Sequence, residues 1–140
     1  MKVNVLVVDD EPEICRTLKN YLELSGYNVI TANSGEDALK ICDTEKIHIA
    51  ILDIKMPGMD GLTLLEYIKK ADFSIQVIMM TGYSTFEITL KALEKGATDY
   101  ILKPFEDMDE ITTQVKLAQD KMERWRKNLA ETVRQNRSSI

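Results

Sequence analysis

Residues 3–13 read VNVLVVDDEPE. Val3 to Val8 are almost wholly apolar, and the run stops abruptly on Asp9, Asp10 and Glu11 before Pro12. A short, Val-rich run that does not alternate with polar residues is the pattern of a strand covered on both faces, as in a parallel sheet under helices. Pro12 suits the first position of a helix, and Ile14, Leu18, Tyr21 and Leu22 then recur on one helical face. The chain therefore opens with a strand and a helix, with carboxylates at the turn between them.

The same alternation occurs five times. Further strand-like runs are YNVIT (27–31), IHIAIL (47–52), IQVIMM (75–80) and DYIL (99–102). Between them, Ala38, Leu39 and Ile41, then Leu62, Leu65 and Ile68, then Ile88, Ala92 and Leu93 mark helical faces. Ser34-x-x-Asp37 and Ser84-x-x-Glu87 have the spacing of capping boxes. Ser25-Gly26 and Lys95-Gly96 provide stops. Five strand–helix units in about 110 residues specify an α/β protein with a doubly wound five-stranded parallel sheet. Right-handed crossovers with helices on both faces give the strand order 2-1-3-4-5.

The end of the chain differs from the body. Ile111, Val115, Ala118, Met122, Trp125 and Leu129 follow each other at spacings of four and three, a heptad seam. No Gly or Pro interrupts residues 105–140, so an extended C-terminal helix is expected to run to about residue 133, with a frayed end. The net charge of −5 is unevenly distributed: residues 111–140 hold seven basic and three acidic side chains, and the body before them is strongly acidic. An acidic body argues against nucleic-acid binding by the body itself. No apolar run is long enough to span a bilayer, and the N-terminus lacks the pattern of a signal peptide, which points to a cytoplasmic protein without a membrane partner. Cys15 and Cys42 have no metal-ligand spacing and read as buried reduced thiols. His48 lies inside a strand and reads as a core or partner-face histidine.

In a doubly wound sheet, ligands bind beyond the carboxyl ends of the strands. Strand 1 ends on Asp9 and Asp10, strand 3 on Asp53, strand 4 on Thr81 and strand 5 on Lys103. Three carboxylates brought together either take up protons or share a cation, and an all-oxygen set suits Mg²⁺. Asp9 and Asp10 have a second reading, as caps of the helix starting at Pro12, although one Asp suffices for that. Asp53 could serve as a nucleophile forming an acyl phosphate, with Lys103 as a point charge and Thr81 as a hydroxyl donor on the phosphoryl oxygens. Each also has a plainer reading, as a solvated acid, a surface lysine and a turn residue.

VLVVDDE (5–11), LDIKMPGMDG (52–61), MMTGY (79–83) and GATDYILKPF (96–105) together resemble the receiver domain of bacterial two-component response regulators. The resemblance covers residues 3 to about 118. It implies a receiver domain at 1–118 and a helical extension, coiled coil or linker, at 119–140. It implies that Asp53 is the phosphoacceptor. Asp10 would be the direct Mg²⁺ ligand, Asp9 would act partly through water, and the Lys55 carbonyl and Asp53 would complete the set. Thr81 and Lys103 would bind the phosphoryl group, Thr81 and Tyr100 would form the switch, and the Lys103–Pro104 bond would be cis. The implied partner is a sensor histidine kinase in a phosphorelay. On this view the chain is a signalling phosphoprotein rather than an enzyme, with self-phosphorylation and autodephosphorylation chemistry of its own.

Three functions follow from these residues: a phosphoacceptor, an interaction module whose seam forms a homodimer through the C-terminal helix, and an Asp-nucleophile phosphatase. The phosphatase would want a general acid two residues after Asp53, where Lys55 stands. A dinucleotide site fails because no Gly-rich turn follows the first strand.

Overall fold

The computed structural model describes residues 2–82 and 85–138 of the 140, with the side chain of Ser138 left out. Strands β1 (Asn4–Val8), β2 (Asn28–Ala32), β3 (Ile49–Asp53), β4 (Gln76–Thr81) and β5 (Asp99–Leu102) alternate with helices α1 (Pro12–Leu24), α2 (Gly35–Thr44), α3 (Gly61–Ala71), α4 (Phe86–Glu94) and α5 (Met108–Ser138). The strands form one parallel sheet in the order β2-β1-β3-β4-β5. The fold class and strand order expected from the sequence are therefore those observed.

The side-chain period of two divides the central strands between two cores. Val5, Val7, Ile49, Ile51, Ile78 and Met80 meet Cys15, Leu18 and Leu22 of α1 and Ile111, Val115, Ala118 and Met122 of α5. Leu6, Val8, Ala50, Leu52, Val77 and Met79 meet Ala38 of α2, Leu64, Leu65 and Ile68 of α3, and Ala92 of α4. Burying each of the larger aliphatic side chains contributes about 1.5–3 kcal/mol, and Leu6, Leu18, Leu22, Leu64 and Leu65 are fully buried. These two layers fix the sheet, and with it the positions of the strand ends.

Local signals operate largely as their chemistry requires. The Ser34 hydroxyl accepts from the Asp37 N–H at 3.1 Å to start α2. Gly26 and Gly96 have φ of +98° and +102° beyond α1 and α4, the left-handed stop that Gly tolerates without strain. Ser84 lies outside the described residues. The cap of α4 is Thr85, whose hydroxyl accepts from the Ile88 N–H at 3.1 Å.

Four expectations are corrected. Leu93, expected on the apolar face of α4, is largely exposed, and Ala92 is the buried residue of that helix. α5 continues to Ser138 rather than 133, since nothing breaks it and Arg137 in its last turn complements the helix dipole. The heptad seam is not one surface. Ile111 to Met122 close the core, whereas Trp125, Leu129 and Val133 are at least half exposed because the helix has run past the sheet. Cys42 is only partly buried, while Cys15 is buried; both are free thiols. His48 is a core residue whose Nδ1 accepts from the Asn4 N–H at 2.9 Å.

Candidate functional site

The carboxyl ends of β1, β3, β4 and β5 bring the expected polar residues to one edge of the sheet. One carboxylate oxygen from each of Asp9, Asp10 and Asp53 lies within 4.8 Å of the others. Asp9 and Asp53 are buried and Asp10 is exposed. Thr81 is buried at the end of β4. The Lys103 N–H donates to the Thr81 carbonyl at 2.8 Å, which carries the β4–β5 register one residue past the strands. Lys103 is thereby set across the cleft from β1. Its ammonium lies 2.5 Å from Asp9 Oδ2 and 3.5 Å from Asp53 Oδ1.

The two acids after β1 have separate surroundings. Asp9 Oδ1 accepts from the Glu11 N–H at 2.9 Å, and its other oxygen takes Lys103. It thus supports the start of α1, whose N-cap position is Glu11 and whose first residue is Pro12. Asp10 is exposed, and among the described residues its carboxylate is not the one that meets the Glu11 N–H. The capping and charge-gathering readings of the pair are divided in this way within Asp9, and Asp10 has only the second.

Asp53 carries the clearest electrostatic mark. Burial, then repulsion from Asp9, push its carboxyl up from 3.8 to about 6, against the opposing pull of Lys103. Lys103 shows the complement. Burial alone would lower it, but its bond to Asp9 and the charges of Asp53 and Asp9 hold it above its ordinary value. One ammonium does not neutralise three carboxylates. The arrangement therefore has excess negative charge, presented by oxygen atoms at an exposed rim, and these donors fit a hard divalent cation.

Tyr100 is at the edge of the sheet and partly exposed. Ile101 belongs to the core shared with α1 and α5, so strand alternation directs Tyr100 and Leu102 to the other face. The Lys103–Pro104 bond is cis. Lys55 lies on the loop just past β3 and is exposed.

Gly61 and Asn33 support the site without belonging to its polar cluster. A Cβ on Gly61 would come within 2.1 Å of the Asp53 carbonyl oxygen, while the Gly61 N–H donates to the Ile54 carbonyl at 2.9 Å. Glycine here lets α3 start directly against the backbone that carries Asp53. The Asp60-Gly61 pair was the available signal, and it also places a cap, since Asp60 Oδ1 accepts from the Thr63 N–H at 2.8 Å. Asn33 Nδ2 donates to the Asp9 carbonyl at 3.0 Å, tying the β2 end to the β1 end. A single Asn after a strand gives no sequence signal for that.

The fold and this edge define an α/β module with a parallel 2-1-3-4-5 sheet and clustered acids at its carboxyl end. The chain belongs to the response regulator receiver domain family, whose model matches residues 5–116. It is similar to a CheY-like receiver domain protein from Methanospirillum hungatei, with 33% identity and a TM-score of 0.85 over 89% of this chain and 98% of that one. It is also similar to the response regulator TrrA from Thermotoga maritima, solved in complex with Mg(2+)-BeF, with 39% identity and a TM-score of 0.75 over 84% of this chain and 99% of that one. Among curated proteins, the alkaline phosphatase synthesis transcriptional regulatory protein PhoP of Bacillus subtilis is 39% identical over 83% of this chain, and the transcriptional regulatory protein ZraR of Escherichia coli is 39% identical over 78%. The chain spans about half the length of the first and about a quarter of the second. Among the described residues, no helix is long and apolar enough to cross a membrane.

Proposed function

We propose that the chain is the phosphoacceptor of a two-component phosphorelay and that Asp53 receives the phosphoryl group from a sensor histidine kinase or a small acyl phosphate. The observation that carries this is the position of Asp53, buried between Lys103 at 3.5 Å and two further carboxylates at the open edge of the sheet. Asp9, Asp10, Asp53 and the Lys55 carbonyl would hold Mg²⁺, which when bound neutralises charge on an incoming phosphoryl group.

The protein's own groups do the rest. Asp53, held at the open edge of the sheet beside Lys103, supplies the carboxylate oxygen that attacks phosphorus. An Asp53 oxygen forms the new P–O bond as the bond to the donor breaks, and the leaving imidazole or carboxylate takes the electron pair. Lys103, already between Asp9 and Asp53, turns its ammonium to the transferred oxygens. The Thr81 hydroxyl donates to another oxygen, and its inward shift changes the packing available to Tyr100. Water later cleaves the acyl phosphate and restores Asp53.

The same reading divides the chain into a receiver unit at 1–118 and a helical extension at 119–140, whose first turn still buries Met122 on the body. Its exposed apolar continuation serves as an output surface for another helix, from a second copy or another protein. A phosphorelay of this kind operates in the cytoplasm.

The test is incubation with radiolabelled acetyl phosphate and Mg²⁺. Wild-type protein takes up label and Asp53→Asn does not. Equal labelling of the variant would remove Asp53 from the role.

A further inference from the structure

The end of the sheet opposite the carboxylates has its own recess. Beyond Met122, α5 leaves the body, and its free side faces the turn between α3 and β4. The groove between them has a volume of about 260 Å³. Its apolar lining is Phe73 from the turn and Met122, Trp125 and Leu129 from α5. Phe73, Trp125 and Leu129 are exposed by 81%, 57% and 57%, an apolar patch that the other described residues leave open. The volume lies below the roughly 300–1,000 Å³ typical of sites for small organic ligands. It is better matched to side chains projecting from a docked helix.

The rim is basic. Lys69, Lys121 and Arg126 line the groove, and among the described residues no carboxylate does. Helical geometry separates the charges of α5: Lys121 and Arg126 flank the stripe Met122, Trp125, Leu129, whereas Asp120, Glu123 and Glu131 fall on the far side. There Asp120 pairs with Lys116 and Glu131 with Arg134. The positive charge at the groove is felt within the protein. Burial and the neighbouring Lys121 both push Lys69 down, and burial followed by Arg126 and Lys46 push His48 down. Asp72, the acid on the same turn, is occupied by the Ser74 N–H and hydroxyl.

We propose that this groove docks an acidic amphipathic helix of a partner protein, with apolar side chains against Phe73, Trp125 and Leu129 and carboxylates on Lys121 and Arg126. The proposal rests on α5 being an output surface and names what that surface binds. Charge complementarity selects this occupant over α5 of a second copy. With Met122 and Leu129 at a positions and Trp125 at d, a parallel homodimer would set Lys121 at g against Arg126 at e of its mate, a repulsive pair. The polar ring around the stripe in each copy would offer the other no acid.

The chain contains a single tryptophan, and it lies in the groove, so its emission reports occupancy. The probe is a Trp-free model helix of about 20 residues built from Leu and Glu, with a Lys-for-Glu version as control, titrated into the full chain. The expected result is a saturable blue shift of Trp125 emission with the acidic peptide, weakened by added salt, in a 1:1 complex by sedimentation. The double variant Lys121→Glu, Arg126→Glu should bind the acidic peptide roughly tenfold or more weakly and gain affinity for the basic one. Equal binding of both peptides, binding of neither, or a peptide-free dimer with Trp125 already shifted would overturn the proposal. None of these outcomes alters labelling of Asp53, so a failure here is distinguishable from a failure of the phosphoacceptor function.

Discussion

Replacing Asp53 by Asn should stabilise the metal-free protein at neutral pH and leave its stability unchanged in acid. The carboxyl of Asp53 has a pKa of about 6 in place of 3.8. Below about pH 3.8 it is protonated in both folded and unfolded chains and contributes no difference. As pH rises from about 3.8 to about 6, the unfolded chain releases the proton while the folded one retains it, and stability falls. Above about 6 the loss is complete. At about 1.4 kcal/mol per pH unit, the displacement corresponds to about 3 kcal/mol, which screening by solvent at the open rim reduces to about 1–2 kcal/mol. Asn removes the charge and keeps the shape, and Lys103 retains Asp9 at 2.5 Å, so no cation is left unpaired. Urea or thermal unfolding in chelator at about pH 7.5 should place the variant above wild type, by about 3–6 °C in Tm, with the two converging near pH 4. Added Mg²⁺ should stabilise wild type and narrow the gap. A variant no more stable than wild type in chelator at neutral pH would refute the strain assigned to Asp53.

Lys103→Met should destabilise the metal-free protein by about 3 kcal/mol, because it leaves the fully buried Asp9 carboxylate without its cation; chemical denaturation with and without Mg²⁺ should show the deficit shrinking when the ion is present. Gly61→Ala should be severely destabilising or should displace α3, since the new methyl meets the Asp53 carbonyl oxygen; a stable variant with unchanged phosphoryl uptake would contradict that packing. On α5, Val115→Ala should lose about 2 kcal/mol of stability through a core cavity, while Trp125→Ala, on the exposed part of the same helix, should lose well under about 0.5 kcal/mol. Cys15, with its thiol pushed to about 11 by burial and by Asp9, should resist alkylation in the folded state and react on unfolding; mass spectrometry of the modified protein reads this directly.

The sheet was legible because its strands are buried on both faces, so a continuous Val- and Ile-rich run such as 3–8 has few alternative uses. The site was legible for a related reason: strand order and polarity determine where Asp9, Asp53, Thr81 and Lys103 must end, although 94 residues separate Lys103 from Asp9. Less could be read where the answer depends on distance rather than residue type. Leu93 and Ala92 are adjacent apolar residues about 100° apart on one short helix, and only the rotation of that helix against its neighbours decides that Ala92 is the buried one. Heptad spacing treats Met122 and Trp125 alike, but the sheet ends between them. The division of labour between Asp9 and Asp10 likewise rests on which carboxylate turns back to the Glu11 N–H.

The central claim is that the convergent acids make Asp53, and no other carboxylate, a metal-assisted phosphoryl acceptor. Wild-type protein would be treated with acetyl phosphate, with Mg²⁺ or with chelator, and the acyl phosphate trapped by borohydride reduction before peptide mass spectrometry. Reduction should convert residue 53 to homoserine in the Mg²⁺ sample and leave it as Asp in chelator. Reduction at another acid, or equal yield at Asp53 without the ion, would contradict the account.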